Sequence, residues 1–305
     1  MKHNSIKTAL TFLFKLLLCS VLIPAQAQTI TLNSTAEGGD SSFSAELLAS
    51  SCAKVGVVMY HGRGSVTTGP VVDEIRKSLN RAGYTTLSIP NPKPLNGLTG
   101  FTDYVNDVGS DNYVFPEAYA RMRSAINYLQ TSGVEQVVVA GFSLGSRLAT
   151  AHVARGQIDE LPIIGLIGVG MYATSIDPLN VATILDEITV PVLDLYGDVD
   201  TNAVNTASSR TAAYQGSSYT QTSLTCIAGS NCHQLAGLKG DDSMPFEIEL
   251  NAWMQSFAPA SVVTDCTATT PAPSSSSGGT LNLLFLGVIF MVLALGYRYK
   301  KKFSK

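Results

Sequence analysis

The chain has 305 residues, 45% of them hydrophobic, and a formal net charge of −3. That length suits one sizeable domain or two small ones. A slightly acidic balance excludes a protein built to grip a polyanion through its charge alone.

Residues 1–27 carry Lys2, Lys7 and Lys15, then the apolar run Leu16 to Ile23, then Ala25-Gln26-Ala27. A basic start, an apolar stretch and a small-x-small site predict a secretory signal peptide cut after Ala27. The apolar run is short for a membrane anchor, which needs about 20 residues. The domain proper is expected over 28–260. Residues 261–280 follow as a linker, with Thr267 to Gly279 rich in Thr, Pro, Ser and Gly, a composition that cannot build a core. Leu281 to Tyr297 is almost wholly apolar. As a helix it rises about 25 Å, just sufficient to cross a bilayer core. The basic residues of 298–305 (Arg298, Lys300, Lys301, Lys302 and Lys305) predict a cytoplasmic tail, which puts the domain on the outer side of an inner membrane.

The two ends hold eight Lys and Arg and no acid, so the remainder carries 12 basic and 23 acidic residues, a net charge of −11. Such a surface repels phosphate backbones and argues against nucleic acid as a partner. Cys52, Cys226, Cys232 and Cys266 survive processing. An even number in an oxidising compartment predicts two disulfides with three possible pairings. Cys226-Cys232 closes a short loop and Cys52-Cys266 ties the domain's two ends together, so that pairing is preferred. No Cys-x-x-Cys pair occurs, which argues against zinc; no metal and no cofactor are expected.

Along the domain, Thr29 to Leu48 predicts one or two antiparallel edge strands. Val55 to Tyr60 is a strand candidate, followed by His61-Gly62-Arg63-Gly64, a helix over Val71 to Arg81 and a strand over Tyr84 to Ile89. Pro90 to Val114 is a loop rich in Pro, Gly and Asn. Glu117 to Gln130 has helical spacing, Gln136 to Ala140 is a strand, Leu144 to Arg155 a helix, and Ile163 to Val169 a strand. A short helix over Leu179 to Glu187, a strand over Val192 to Tyr196, a helix over Ala203 to Tyr214, a strand over Tyr219 to Ile227 and a helix over Pro245 to Phe257 complete the order. Short apolar runs alternating with helices predict an α/β fold, a doubly wound and mostly parallel sheet covered on both faces. There is no repeat and no second composition regime, so one domain suffices.

In such sheets ligands gather at the carboxyl ends of the strands. The segment Val137 to Ser146 runs from a strand into Gly141-Phe142-Ser143-Leu144-Gly145 and then a helix. This is the context that makes Gly-x-Ser-x-Gly a nucleophile elbow. A sharp strand-to-helix turn crowds the backbone, which is why both flanking positions are glycine. A nucleophilic serine needs a base, and the base needs an orienting carboxylate, in the order Ser, acid, His. His3 lies in the signal segment, His61 precedes the serine, and His152 sits inside the following helix. His233 alone lies late enough. Asp198 and Asp200 both sit in the turn after the preceding strand, while Asp194 lies within it. The backbone N–H of Leu144, directly after the serine, is a candidate oxyanion donor.

These four segments resemble the α/β-hydrolase superfamily, nearest in layout to the compact carboxylesterase and dienelactone hydrolase-like branch, over Val55 to Ala258. The resemblance implies Ser143 as nucleophile, His233 as base and, through the Gly-x-x-Asp turn Gly197-Asp198-Val199-Asp200, Asp200 as acid, with Asp198 the alternative. Its His-Gly-x-Gly loop implies Arg63 as the second oxyanion donor, through its backbone, and His61 as the ring that fixes the loop. Val169 and Val192 are about 20 residues apart, which leaves room only for a minimal lid. Phe101, Tyr104, Tyr113 and Phe115 then either line the acyl or alcohol pocket or simply pack their loop. The implied activity is hydrolysis of a small-molecule or lipid-like ester or thioester. Alternatives are acyl transfer or peptide hydrolysis by the same residues, or a catalytically silent surface-binding module.

The last 30 or so residues resemble the bacterial GlyGly-CTERM sorting signal: a Ser-rich stretch, Gly278-Gly279, an apolar span and a basic terminus. This implies cleavage near Gly278-Gly279 by a rhomboid-like intramembrane protease, then release or transfer to the cell surface. The alternative is permanent anchoring by the single span. Mass spectrometry of the exported protein is expected to find no peptide beyond about Gly279, and intact tail peptides in the mature pool would exclude sorting.

Overall fold

The computed structural model describes residues 27–34, 42–92, 114–173, 179–226, 232–235 and 244–260. All of these lie in the first of the two units into which the chain divides at Ala268. The expected signal segment up to residue 26, the linker, the apolar span and the basic tail fall outside the described residues, as do Cys266 and the side chains of Phe101, Tyr104, Tyr113 and Phe115. Among the described residues no helix is long and apolar enough to cross a membrane.

Ala27–Leu32 (β1) and Phe43–Leu48 (β2) pair antiparallel, with Ala27 opposite Leu48 and Leu32 opposite Phe43. The parallel core follows: Val55–Tyr60 (β3), Thr85–Ile89 (β4), Gln136–Phe142 (β5), Ile163–Val169 (β6), Val192–Gly197 (β7) and Tyr219–Leu224 (β8). The eight strands run in the order β1-β2-β4-β3-β5-β6-β7-β8. β2 meets β4 antiparallel, and every pair from β4 onward is parallel. The helices are Pro70–Arg81 (α1), Val114–Thr131 (α2), Leu144–Ile158 (α3), Val181–Ile184 (α4), Thr201–Asn205 (α5), Ala207–Ala213 (α6) and Met244–Phe257 (α7).

The strands bury both faces because successive side chains point to opposite sides. Val55, Val57 and Met59 pack with α1 and α7, through residues such as Ile75, Leu79, Leu250 and Trp253. Val58 and Tyr60 pack on the other face with α2 and α3, against Met122, Ile126 and Leu148. α1 shows why a helix forms where it does. Pro70 opens it with its φ preset, Asp73 and Arg81 suit the two ends of its dipole, and Val71, Val72, Ile75 and Leu79 form one buried stripe. From β3 the chain goes first to β4 on one side and later to β5 on the other. The strand order therefore reverses between β3 and β5, and the carboxyl ends of these two strands flank the crevice where ligands bind in open α/β sheets.

Two expectations need correction. The helix over Ala203 to Tyr214 is two helices broken at Thr206, whose hydroxyl donates to Asn202 O while accepting from Ala173 N and Arg210 Nη1. Arg210 Nη1 also takes the carbonyl of Ala203, at 2.9 Å, which a continuous helix would have used internally. The strand over Tyr219 to Ile227 stops at Leu224, where its pairing with Gly197 ends.

Buried polar groups link the layers. Arg210 is wholly buried and pairs at 2.8 Å with Asp194 of β7, itself wholly buried. Tyr219 and Gln221 of β8 donate to the same carboxylate oxygen. On the same face Tyr60 donates to Ala118 O, so His152 Nδ1 donates in turn to the Tyr60 hydroxyl at 2.8 Å. Burial pushes the His152 imidazole down to about 3 from its ordinary 6.5. An unfolded chain takes up that proton near 6.5, so between 6.5 and 3 the unfolded state binds more protons and stability falls as pH falls. The loss is at most about 1.4 kcal/mol per pH unit. Urea unfolding of His152→Gln is therefore expected to show a lower stability near neutrality and a shallower decline than wild type toward about pH 4.5. Parallel declines would show that His152 does not contribute to the acid sensitivity.

Candidate active site

Ser143 stands between β5 and α3 at φ 55° and ψ −118°. A positive φ is uncommon outside glycine and stores strain of about 1–3 kcal/mol. The neighbours leave the chain no other course. A Cβ on Gly145 would lie 2.5 Å from His61 O and 2.6 Å from Tyr60 O, and one on Gly141 would run into the Gly145 carbonyl. Both glycines are thus needed for α3 to start directly over the end of β3. The Ser143 N–H is held by Val169 O at 2.9 Å. Leu144 is the first residue of α3, where helix geometry leaves the N–H without an intrahelical acceptor.

The structure brings together three of the residues singled out in the sequence. His233 lies in the 3-10 turn Cys232–Gln234. Its Nε2 is 2.8 Å from Ser143 Oγ and its Nδ1 is 2.7 Å from Asp200 Oδ2. A carboxylate can only accept from the imidazole, so Nδ1 carries the proton and Nε2 is the acceptor facing the serine hydroxyl. Asp200 is buried, and its other oxygen faces the first turn of α5, 3.5 Å from Ala203 N. Asp198, the alternative acid, points elsewhere. It is exposed, and its Oδ1 accepts from Cys226 N at 3.1 Å. Cys226 is disulfide-bonded to Cys232, as the loop spacing suggests. Cys52 is also disulfide-bonded.

The loop after β3 is fixed from within. Asn91 N donates to His61 Nε2 at 3.0 Å, so His61 Nδ1 is the protonated nitrogen and donates to Gly62 O at 2.8 Å. The Asn91 amide donates to His61 O at 2.6 Å. Burial holds the His61 imidazole below its ordinary range, which keeps it neutral in this role. Ser65 N bonds Gly62 O at 3.1 Å, which makes Arg63 and Gly64 the two central residues of a tight turn. Gly62 itself packs against the serine, since a Cβ there would lie 2.9 Å from the Phe142 ring and 3.3 Å from Ser143 Cβ. The loop backbone thus lies close beside Ser143, and Arg63 follows as an exposed residue.

Three neighbours escaped the sequence reading. The Phe142 and Tyr172 rings stand 5.4 and 6.3 Å from the His233 ring. Gly170, directly after β6, adopts φ +60°, and a Cβ there would meet His233 O at 3.2 Å and its ring at 3.4 Å. Glycine at the end of a strand was the available signal, since it marks a close backbone approach. Asp198, Cys226 and Cys232 also cluster within 4.8 Å, but sulfurs bonded to each other offer no thiolate to a metal.

This geometry can move a proton from Ser143 Oγ to His233 Nε2 while Asp200 stabilises the resulting imidazolium, which makes the serine oxygen nucleophilic. No protein-family model and no curated protein matches the chain. Solved structures do. The chain is similar to a dienelactone hydrolase from Anabaena variabilis, at 18% identity over 76% of this chain and 98% of that one, with a TM-score of 0.54. It is similar also to the esterase domain of a Rhodothermus marinus protein, at 16% identity over 76% of this chain and 99% of that one, with a TM-score of 0.53. The protein has the α/β-hydrolase fold.

Gly170→Ala should slow the reaction of Ser143 with a fluorophosphonate about tenfold, equivalent to about 1.4 kcal/mol of barrier. Gly133→Ala introduces the same left-handed strain, at φ +95°, but with no atom within 4 Å, and should lower stability without slowing that reaction. Equal labelling rates for both variants would show that Gly170 does not set the position of His233.

Proposed function

We propose that this protein is a serine hydrolase that cleaves an ester or thioester through an acyl-enzyme. One observation carries the proposal: an unbroken hydrogen-bond chain from Asp200 through His233 to Ser143 at 2.7 and 2.8 Å. It lies at the carboxyl ends of the strands, on the turn after β5, beside the topological switch point. Ser143 Oγ attacks the substrate carbonyl as its proton passes to His233 Nε2. The developing oxyanion is held by the backbone N–H groups of Leu144 and Arg63, each worth about 10²–10³ in turnover in such sites. His233 returns the proton to the departing alcohol or thiol, then activates a water that releases the acid. Asp200 keeps the imidazole in the correct tautomer throughout. The esterase and dienelactone hydrolase neighbours support this reading at the level of the fold.

The substrate we propose is a small or lipid-like ester met outside the cytoplasm. The signal-like start and the Cys226–Cys232 disulfide support an oxidising location, and the acidic domain is suited to solvation there and not to nucleic acid. The sorting-type tail would deliver the domain to the cell surface or release it.

The test is fluorophosphonate labelling with hydrolysis of p-nitrophenyl esters. Wild type should be labelled and active, Ser143→Ala unlabelled, and Asp200→Asn slower by about 10⁴ in kcat through loss of the tautomer. A folded wild type that takes no label would overturn the proposal, and labelling of Ser143→Ala equal to wild type would remove Ser143 from its role.

A further inference from the structure

The segment that carries His233 is closed by the Cys226–Cys232 disulfide, and the turn that carries Asp200 packs against it. Cys232 directly precedes His233. The disulfide is seated on Gly197, the last residue of β7: a Cβ there would lie 2.5 Å from Cys226 Sγ and overlap Cys232 Sγ. Gly197 O in turn accepts from Asp200 N at 3.0 Å. The disulfide thus contacts the base-bearing segment one residue before the base and the acid-bearing turn three residues before the acid.

Asp198 latches the same junction. The parallel pairing of β7 and β8 ends at Gly197 and Leu224. Asp198 N still donates to Leu224 O at 2.9 Å, and its side chain accepts from Cys226 N at 3.1 Å. A carboxylate here stands in for the backbone carbonyl that would continue the ladder. It carries the strand register one step further, to the first cysteine of the loop.

We propose that the Cys226–Cys232 disulfide, seated on Gly197 and latched by Asp198, is a clamp that positions His233 against Asp200 and Ser143. This rests on the serine hydrolase reading and adds positioning residues to it. Two features make the clamp necessary. The His233 side chain is 31% exposed, so burial alone does not hold the ring. A cross-link across six positions also ties Cys232, the residue before His233, to the end of β8. A displacement of about 1 Å at a reacting group costs on the order of 10² in rate.

Four variants test this: Cys226→Ser/Cys232→Ser, Cys52→Ser, Asp198→Ala and Asp198→Asn. Each is measured for kcat and KM on p-nitrophenyl acetate, for thermal unfolding, and for the low-field proton resonance of the His233 Nδ1–H bond. The double serine variant should lose about 10- to 100-fold in kcat, with KM within about twofold and the resonance shifted or lost. Cys52→Ser, which opens a disulfide away from the clamp, should keep wild-type kcat. Asp198→Ala should lose about tenfold, and Asp198→Asn should recover most of it because the amide oxygen still accepts from Cys226 N–H. Wild-type kcat and an unmoved resonance in the double serine variant would overturn the clamp. So would Asp198→Asn as impaired as Asp198→Ala, which also decides the matter if the double variant does not fold. A wild type without esterase activity would refute the hydrolase reading instead, and the resonance would still report on the clamp.

Discussion

At Ser143 the backbone is pressed into φ 55° and ψ −118° by the approach of α3 to the end of β3. Gly145 rests against the carbonyls of Tyr60 and His61, and Gly141 against Gly145, so neither of these two positions has room for a side chain. The strain, about 1–3 kcal/mol, is held in place by the packing around it. The same contact brings the loop after β3 beside the serine, where Gly62 touches both Phe142 and Ser143. One close backbone approach therefore sets the serine's exposure, the start of α3 and the position of the neighbouring loop.

Around that fixed point the polar groups divide by task. The interior of the loop after β3 is satisfied by its own histidine, whose two ring nitrogens are both engaged and whose charge is suppressed by burial. Asn91, which bonds that histidine, directly follows Pro90, whose carbonyl accepts from Arg121 at 3.0 Å. Arg121 is in turn paired with the buried Glu117 at 2.8 Å. Buried charge in this region anchors the scaffold, and among the described residues the one imidazole left partly open to solvent is His233.

Most elements were legible because they follow from pattern. Continuous apolar runs such as Val137 to Ala140 announce strands buried on both faces, and Val71, Val72, Ile75 and Leu79 announce a helix stripe. The grouping of Ser143 and His233 was legible because chain order left one histidine available. Asp200 over Asp198 was less so, since both lie in the same turn and only three-dimensional direction separates them. What the sequence did not reveal depends on contacts between distant segments. Gly170 is a glycine because the His233 backbone arrives there from 63 positions along the chain. The break at Thr206 exists because Arg210 reaches the buried Asp194 on β7 and takes the carbonyl of Ala203 on the way. Neither has a local signature, since each records a partner that periodicity cannot see.

The two halves of the site are held by different means, and the sheet order explains the difference. β3 and β5 are interior strands, and all six residues of β3 are buried. Their packing fixes Ser143 without any cross-link. β8 is the last strand of the sheet and most of its residues are only half-buried, so hydrophobic contact holds it less firmly. Yet β8 is the strand that leads to His233. Its attachments are accordingly specific: Tyr219 and Gln221 reach the Asp194 carboxylate on β7 at one end. At the other end, Asp198 and the Cys226–Cys232 disulfide carry the pairing past Leu224. Directional and covalent links replace buried area where an edge strand has too little of it, and they are concentrated on the segment whose displacement the proton transfer tolerates least.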